Sequence, residues 1–451
     1  MENTSLTPPA VKYAQAALLM DLKSGRIIYS KNADEKLYPA SITKILTGII
    51  ALEQLPLDEV VTANYAALAS ITNEDSHMGI LIGEELTVDQ LISGMLVYSA
   101  NDAANVLAIR IAGSLEAFAE MMNAKAVELG AQNSHFTNPC GVQDENHYTT
   151  ARDIAMISQY AMKNEKFREV VKTPIYKIPA TNKYKTERVL VNTNLFLGTS
   201  RSTYYYYSPA IGIKTGHTSD AQYCLVSAAQ YNNTEFLSVV MKCPNKDTKE
   251  NAYSYIDSKT LLEFGFDNYS YQTIALPGDI ISDSKVYEAK NDTRIAITVE
   301  KEVSALIPSN IDKVKDITVT TDLPETLRAP IAKGEKLGTV SYTYQGTVIG
   351  QANLIATNDV QRDNLLFVLH IITNILTSPF FYVPAIILIF LILLSRHLKK
   401  ERERKRRQRQ MRLNRQNKPE SGTPRRPDQK ASRNERRIKE PNPNSRYKNQ
   451  K

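Results

Sequence analysis

The chain has 451 residues, is 42% apolar and 23% charged, a composition that excludes a wholly disordered or fibrous protein and leaves room for two or three domains. Residues 396–451 hold 22 Lys and Arg against 6 Asp and Glu, so the overall charge of +7 divides into +16 on this tail and −9 on the rest. The basic balance therefore belongs to one end and does not argue for a nucleic-acid-binding protein.

Residues 1–10 read as a linker. Ala16–Leu22 and Arg26–Ser30 flank Lys23-Ser24-Gly25, a hairpin signal. Ser41–Leu55 is apolar nearly all round and predicts a buried helix. Residues 86–163 read as mostly helical, with Ala151–Met162 capped by Thr149 or Thr150. Strands return at Ile211–Lys214, Tyr223–Ala229 and Glu235–Lys242, the last two joined across Asn232-Asn233. Sheet, helices and sheet again give an α+β domain over 11–268, an antiparallel sheet flanked by helices with an inserted helical region. From 271 to 357 short alternating strands (RIAITVE, DITVTTDL, KLGTVSYTYQ, TVIGQANLI) predict a separate small all-β domain.

Asp363–Leu376 is largely apolar but carries His370, Thr373 and Asn374, so it could extend a membrane span or lie in the interface, and 361–378 is read as an amphipathic interfacial segment. Pro379–Ser395 is 17 residues without a charge, about 26 Å as a helix and at the short end of a membrane span. The basic run RHLKKERERKRRQRQ follows directly, the pattern of a cytoplasmic stop. A single-pass protein is expected, with residues 1–360 outside and 396–451 a disordered cytoplasmic tail. That topology needs an export signal, which MENTSLTPPAVKYAQ does not provide, so a start further upstream is expected. Anionic lipid headgroups suit the tail, whereas the absence of Trp and of aromatic residues interleaved with the basic ones argues against nucleic acid.

Three elements could carry chemistry. Ser41-Ile42-Thr43-Lys44 opens the buried helix, where a serine hydroxyl meets the positive end of the helix dipole and a lysine three residues on shares its face. Desolvation would lower that lysine's pKa enough for it to act as a base. Ser-x-x-Lys also occurs at Ser282–Lys285 and Ser445–Lys448, with no buried helix at either place. Ser99-Ala100-Asn101 marks a turn at a helix end; its hydroxyl can relay a proton and its carboxamide can hold a substrate amide, although such a triplet is also an ordinary N-cap. Lys214-Thr215-Gly216 ends a predicted strand, where a cation and a hydroxyl suit a carboxylate and glycine permits close approach. Cys140, Cys224 and Cys243 match neither a disulfide framework nor a zinc pattern, and no metal or other cofactor is expected.

In this order and these contexts the three elements resemble the serine D-alanyl-D-alanine carboxypeptidases, the low-molecular-weight penicillin-binding proteins. The resemblance extends through DLKSGRIIYSKNADEKLYPASITK, GEELTVDQLISGMLVYSANDAANVLA, HFTNPCGVQDENHYTTARDIA and GIKTGHTSDAQYCLVSAA. It implies a nucleophile at Ser41, a base at Lys44, a proton relay at Ser99 and a substrate-holding amide at Asn101. Lys214 and Thr215 would bind the terminal carboxylate beside Gly216. The backbone N–H groups of Ser41 and His217 would form the oxyanion hole. The implied partners are a peptidoglycan stem peptide ending in D-Ala-D-Ala, β-lactams as covalent inhibitors, and the membrane. His147 and Asp153 are expected to brace the loop around 138–150, and Cys140 has no assigned role. Some relatives place an Arg between the two asparagines of Asn192-Thr193-Asn194, so Thr193 leaves a second carboxylate contact without a residue. The alternatives are a penicillin-binding sensor or scaffold with little turnover, and a class A-like β-lactamase. The latter needs a carboxylate that activates a deacylating water, and this chain has no E-x-x-L-N segment between 155 and 200.

Overall fold

The computed structural model describes residues 6–244, 252–291 and 293–416. Its contacts divide the chain into two units that meet between Arg362 and Asp363.

The first unit is built on a five-stranded antiparallel sheet of β1 (Ala16–Asp21), β2 (Ile27–Lys31), β3 (Ala210–Thr218), β4 (Gln222–Tyr231) and β5 (Thr234–Cys243), in the order β2-β1-β5-β4-β3. Successive side chains of a strand point to opposite faces, and β1 uses both. Leu18 and Met20 enter a large core with Ile42, Ile45, Val226 and Val239. Ala17 and Leu19 enter a second core with Leu225, Val240, Leu261 and Leu262. That is why Ala-Ala-Leu-Leu-Met shows no polar alternation. Thus β3 lies at the sheet's edge.

The large core is filled by α1 (Lys44–Gln54), α2 (Val88–Val97), α3 (Asn101–Ala112), α4 (Leu115–Glu128), α5 (Ala151–Ala161) and α6 (Glu165–Lys172), while α7 (Tyr253–Asn268) closes the opposite face. Thr87 and Gln90 form a capping box at the start of α2, Ser114 caps α4, and Thr150 rather than Thr149 caps α5.

One sequence expectation needs correction. Ser41 does not lie in the α-helix, because Ala40–Thr43 form a 3₁₀ turn and α1 starts at Lys44. The region 86–163 is mostly helical as read, with a non-helical stretch at 129–150 held largely by side chains. There the Asn138 carboxamide oxygen accepts the N–H groups of Cys140, Gly141 and Val142 at 3.2, 2.8 and 3.0 Å. The Asp153 carboxylate accepts Asn133 N–H and the Ser134 hydroxyl, both at 2.7 Å.

All four β-rich segments are strands. A six-stranded sheet includes Arg294–Val299, Ile317–Asp322, Lys336–Tyr344 and Thr347–Ala356, around a core of Ile295, Ile297, Val340 and Leu354. This all-β region is less separate than its sequence suggests. Leu306 joins the core of Leu19 and Phe236, Arg26 donates to the Leu306 carbonyl at 2.8 Å, and Tyr271 donates to Asp21 at 2.6 Å.

The second unit holds α8 (Asn364–Thr377), capped by Asp363, and α9 (Pro379–Gln416), which is long and apolar enough to cross a membrane. The expectation of disorder from 396 onward is overturned as far as Gln416. Arg, Lys, Gln and Glu are good helix formers, and Glu401 pairs with Lys405 at 3.2 Å one turn on. The remainder of the expected tail, 417–451, lies outside the described residues.

Candidate active site

Ser41 sits on the 3₁₀ turn ahead of α1, and Lys44 opens that helix from a completely buried position. The Lys44 Nζ donates to Ser41 Oγ at 2.8 Å and to the Cys140 carbonyl at 2.7 Å. Burial is the largest influence on this amine and lowers its pKa to about 8, against the opposing pull of the Asp75 and Asp102 carboxylates. A lysine in this state alternates readily between ammonium and amine near neutrality, and as an amine it has a lone pair for the serine proton.

The Cys140 carbonyl is a functional group that reading the sequence missed; the thiol itself is buried, its pKa raised to about 12. The loop that delivers this carbonyl needs Gly141. Its φ is +80°, and a Cβ there would stand 1.9 Å from the Ala40 oxygen. The signal was present in Asn138-Pro139-Cys140-Gly141, a turn sequence. His147, buried beside it, accepts Thr137 N–H at Nδ1 (3.1 Å), so its Nε2 carries the proton and donates to Thr43 Oγ1 at 2.9 Å. Burial holds its pKa down at about 4, which keeps the ring neutral and suits a brace for the turn.

Ser99 lies between α2 and α3 with a φ of +69°, in the left-handed region that non-glycine residues rarely occupy. Asn101 begins α3; its Nδ2 donates to Asp75 at 3.1 Å, and its carbonyl accepts from the Cys140 thiol at 3.4 Å. The start of α3 therefore abuts the loop that also receives Lys44.

Lys214, Thr215 and Gly216 run along the edge strand β3, which packs against the 3₁₀ turn. A Cβ on Gly216 would lie 2.8 Å from the Pro39 oxygen and 3.2 Å from the Ser41 nitrogen. Glycine is needed there for approach rather than for φ, because any side chain would displace the serine's backbone. Lys214 is 1% exposed, and its pKa is well below the ordinary lysine value because of burial first and the nearby charges of Lys44 and Arg201 second. Thr215 Oγ1 donates to Thr193 Oγ1 at 2.8 Å. His217 is exposed on the same strand, its ring 4.3 Å from that of Tyr223. The geometry thus joins Ser41, Lys44 and Gly216 directly, and brings Asn101 to the loop behind Lys44, with the buried Ser99 two residues before it.

A family model described as D-alanyl-D-alanine carboxypeptidase, of the S11 peptidases, matches residues 2–245, and a penicillin-binding protein 5 C-terminal domain model matches 269–362. The chain belongs to the D-alanyl-D-alanine carboxypeptidase family. Among similar members, DacA of Haemophilus influenzae is 34% identical over 79% of this chain and 87% of its own length. DacF of Bacillus subtilis is 30% identical over 77% and 86%. Crystal structures of penicillin-binding protein 5 from H. influenzae superpose with a TM-score of 0.61 at 30% identity, covering 79% of this chain and all of that one. A variant of the Streptomyces K15 DD-transpeptidase gives 0.52 at 31% identity, covering 58% of this chain and all of its own. This family member is a serine-type carboxypeptidase with the mixed α+β penicillin-binding fold and a C-terminal all-β domain.

Proposed function

We infer that the carboxypeptidase removes the terminal D-alanine of peptidoglycan stem pentapeptides through an acyl-enzyme on Ser41. The hydrogen bond from the buried Lys44 amine to Ser41 Oγ carries this reading. With Lys44 as amine, Ser41 Oγ attacks the carbonyl carbon of the penultimate D-alanine and its proton passes to Lys44 Nζ. The oxyanion forms near the Ser41 and His217 N–H groups, where a preorganised donor is worth on the order of 10²–10³ in rate. The C–N bond then breaks, D-alanine leaves with a proton relayed through Ser99, and water cleaves the ester. Asn101 holds the peptide amide, while Lys214 and Thr215 take the terminal carboxylate beside Gly216. β-Lactams acylate the same serine.

The carboxylate role has a direct test. Replacing Lys214 by alanine should lower kcat/KM on a free-acid D-Ala-D-Ala peptide by about a hundredfold, the scale of a lost charge-assisted hydrogen bond, and affect the C-terminal amide far less. Equal losses on both substrates would refute it.

The same reading makes α9 a membrane anchor, supported by 17 uncharged residues followed by a dense basic run. The catalytic unit would then face outward and the basic end the cytoplasm, against anionic headgroups. Since every site residue lies before Arg362, deleting 363–451 should yield a soluble enzyme with unchanged kcat. A soluble but inactive product would show that this segment does more than tether.

A further inference from the structure

The rim of the cleft carries a cation that none of the three motifs contains. Arg201 belongs to the segment Gly198–Pro209, with its four consecutive tyrosines. Its guanidinium lies 5.3 Å from the centre of the Tyr98 ring, next in sequence to Ser99, and its Nε donates to the Val191 carbonyl at 3.3 Å. Two residues beyond Val191, Thr193 bonds Val97 through its N–H at 3.1 Å and Thr215 through its hydroxyl at 2.8 Å. Arg201 therefore lies beside Tyr98, the neighbour of Ser99, on the chain segment that Thr193 ties to Thr215, and its charge reaches Lys214. Among the described residues it has no ion pair with a carboxylate, and its two Nη groups make no hydrogen bond. What remains is a guanidinium over the Tyr98 ring, tied through its Nε, whose two Nη groups form a fork that matches a carboxylate in two parallel hydrogen bonds.

We propose that Arg201 is the second anchor of the substrate's terminal carboxylate, acting beside Lys214 and Thr215 and helping to make the site selective for a free C-terminus. This rests on the acyl-transfer reading above. Physically it divides the work between two different cations. Burial and neighbouring positive charge oppose protonation of Lys214 in the free enzyme, whereas a guanidinium keeps its charge throughout the working pH range. Arg201 thus supplies a permanent charge at the entrance, and an incoming carboxylate in turn stabilises the ammonium form of Lys214. Thr193, uncharged, positions the Thr215 hydroxyl.

The test uses the full chain in detergent, as wild type, Arg201→Ala and Arg201→Lys. Steady-state release of D-alanine is measured from an N-acylated L-Lys-D-Ala-D-Ala free acid and from its C-terminal amide, and acylation rates are measured for benzylpenicillin and its methyl ester. Arg201→Ala should lower kcat/KM on the free acid ten- to hundredfold, mostly through KM, and slow acylation by benzylpenicillin by a similar factor. The amide and the methyl ester should change no more than about twofold. Arg201→Lys should recover part of the loss, since it restores the charge but not the fork. Equal losses on acid and amide, or on penicillin and ester, would reduce Arg201 to a prop for its loop and overturn the proposal. No loss on either acid would overturn it as well. If the wild type releases no D-alanine from the free acid, the acyl-transfer reading itself fails; if the wild type works and only the variants contradict expectation, that reading stands and Arg201 alone is wrong.

Discussion

Replacing Ser41 with alanine is expected to abolish both D-alanine release and covalent labelling by β-lactams. The intact mass of the wild-type chain after brief exposure to benzylpenicillin should rise by one penicillin, and that of Ser41→Ala should not. In the proposed mechanism the hydroxyl is the only group of the cluster that bonds to the acyl carbon, so no neighbour would replace it, and the loss in kcat should be on the order of 10⁵-fold or more. Lys44 would remain buried and would lose its 2.8 Å partner while keeping the Cys140 carbonyl, so the variant should fold. A labelled Ser41→Ala chain would remove Ser41 from the mechanism. A wild type that consumes the drug without holding it would behave as a β-lactamase, and one that does neither would be a sensor or scaffold without turnover.

The second large effect belongs to Lys44. Its pKa of about 8 in the folded chain is set mainly by burial. In the proposed mechanism the base is the unprotonated Lys44 amine, and the direction follows: kcat/KM for acylation should rise as pH increases through about 8, and fall below it as the ammonium accumulates. A stopped-flow series of benzylpenicillin acylation between pH 6 and 9.5 measures this limb. A profile that is flat, or that falls with rising pH in this range, would exclude Lys44 as the base. Lys44→Met keeps the length and apolar stem of the side chain but has no proton acceptor of comparable strength, and should cost on the order of 10²–10⁴ in acylation rate, the usual worth of a positioned general base. It should also flatten the pH limb. A variant that is slow but keeps the limb would assign the titration to another group.

The two effects share a cause in the way the chain closes around its first motif. Ser41 and Lys44 are three residues apart, and a helical turn alone would bring them onto one face. What lowers the lysine's pKa is its enclosure beneath the loop carrying Asn138, Cys140 and Gly141, which Thr43 and Thr47 meet from the other side. The same enclosure fixes the serine, because Gly216 on the edge strand leaves room for the Ser41 backbone and for no side chain.

Much of this was legible in the residues themselves. Local signals sufficed for the hairpin at Lys23-Ser24-Gly25, the strands around 210–243, a threonine cap at 149 or 150, the β-rich region and the uncharged stretch before the basic tail, because turn chemistry, period-two alternation and capping act over a few neighbouring positions. The three chemical elements were also legible, as residue types in a particular order. Ser282–Lys285 shows why the spacing alone was insufficient: the same four-residue pattern there falls on a strand of the β-rich sheet, where Ser282 and Lys285 pair with Ile297 and Arg294. The basic run beyond Ser395 reads as disorder from its composition, yet its first part continues α9, since helix propensity and an i,i+4 ion pair are enough to extend a helix already started.

Other properties came into being only when distant segments met. The sequence Asn138-Pro139-Cys140-Gly141 signals a turn, but a carbonyl has no sequence identity, so that Lys44 meets the Cys140 carbonyl emerges only in the fold. Arg201, which is 13 residues from Lys214 and about a hundred from Tyr98, carries no motif and acquires its place through Val191 and the Tyr98 ring. The sequence by itself determined which groups are available and which local elements carry them, because those depend on side-chain chemistry and near-neighbour backbone preference. Only the tertiary structure decided the lysine's pKa, the fit of Gly216 against Ser41 and the position of Arg201 at the cleft, because desolvation, close approach and charge coupling depend on distances between residues far apart in the chain.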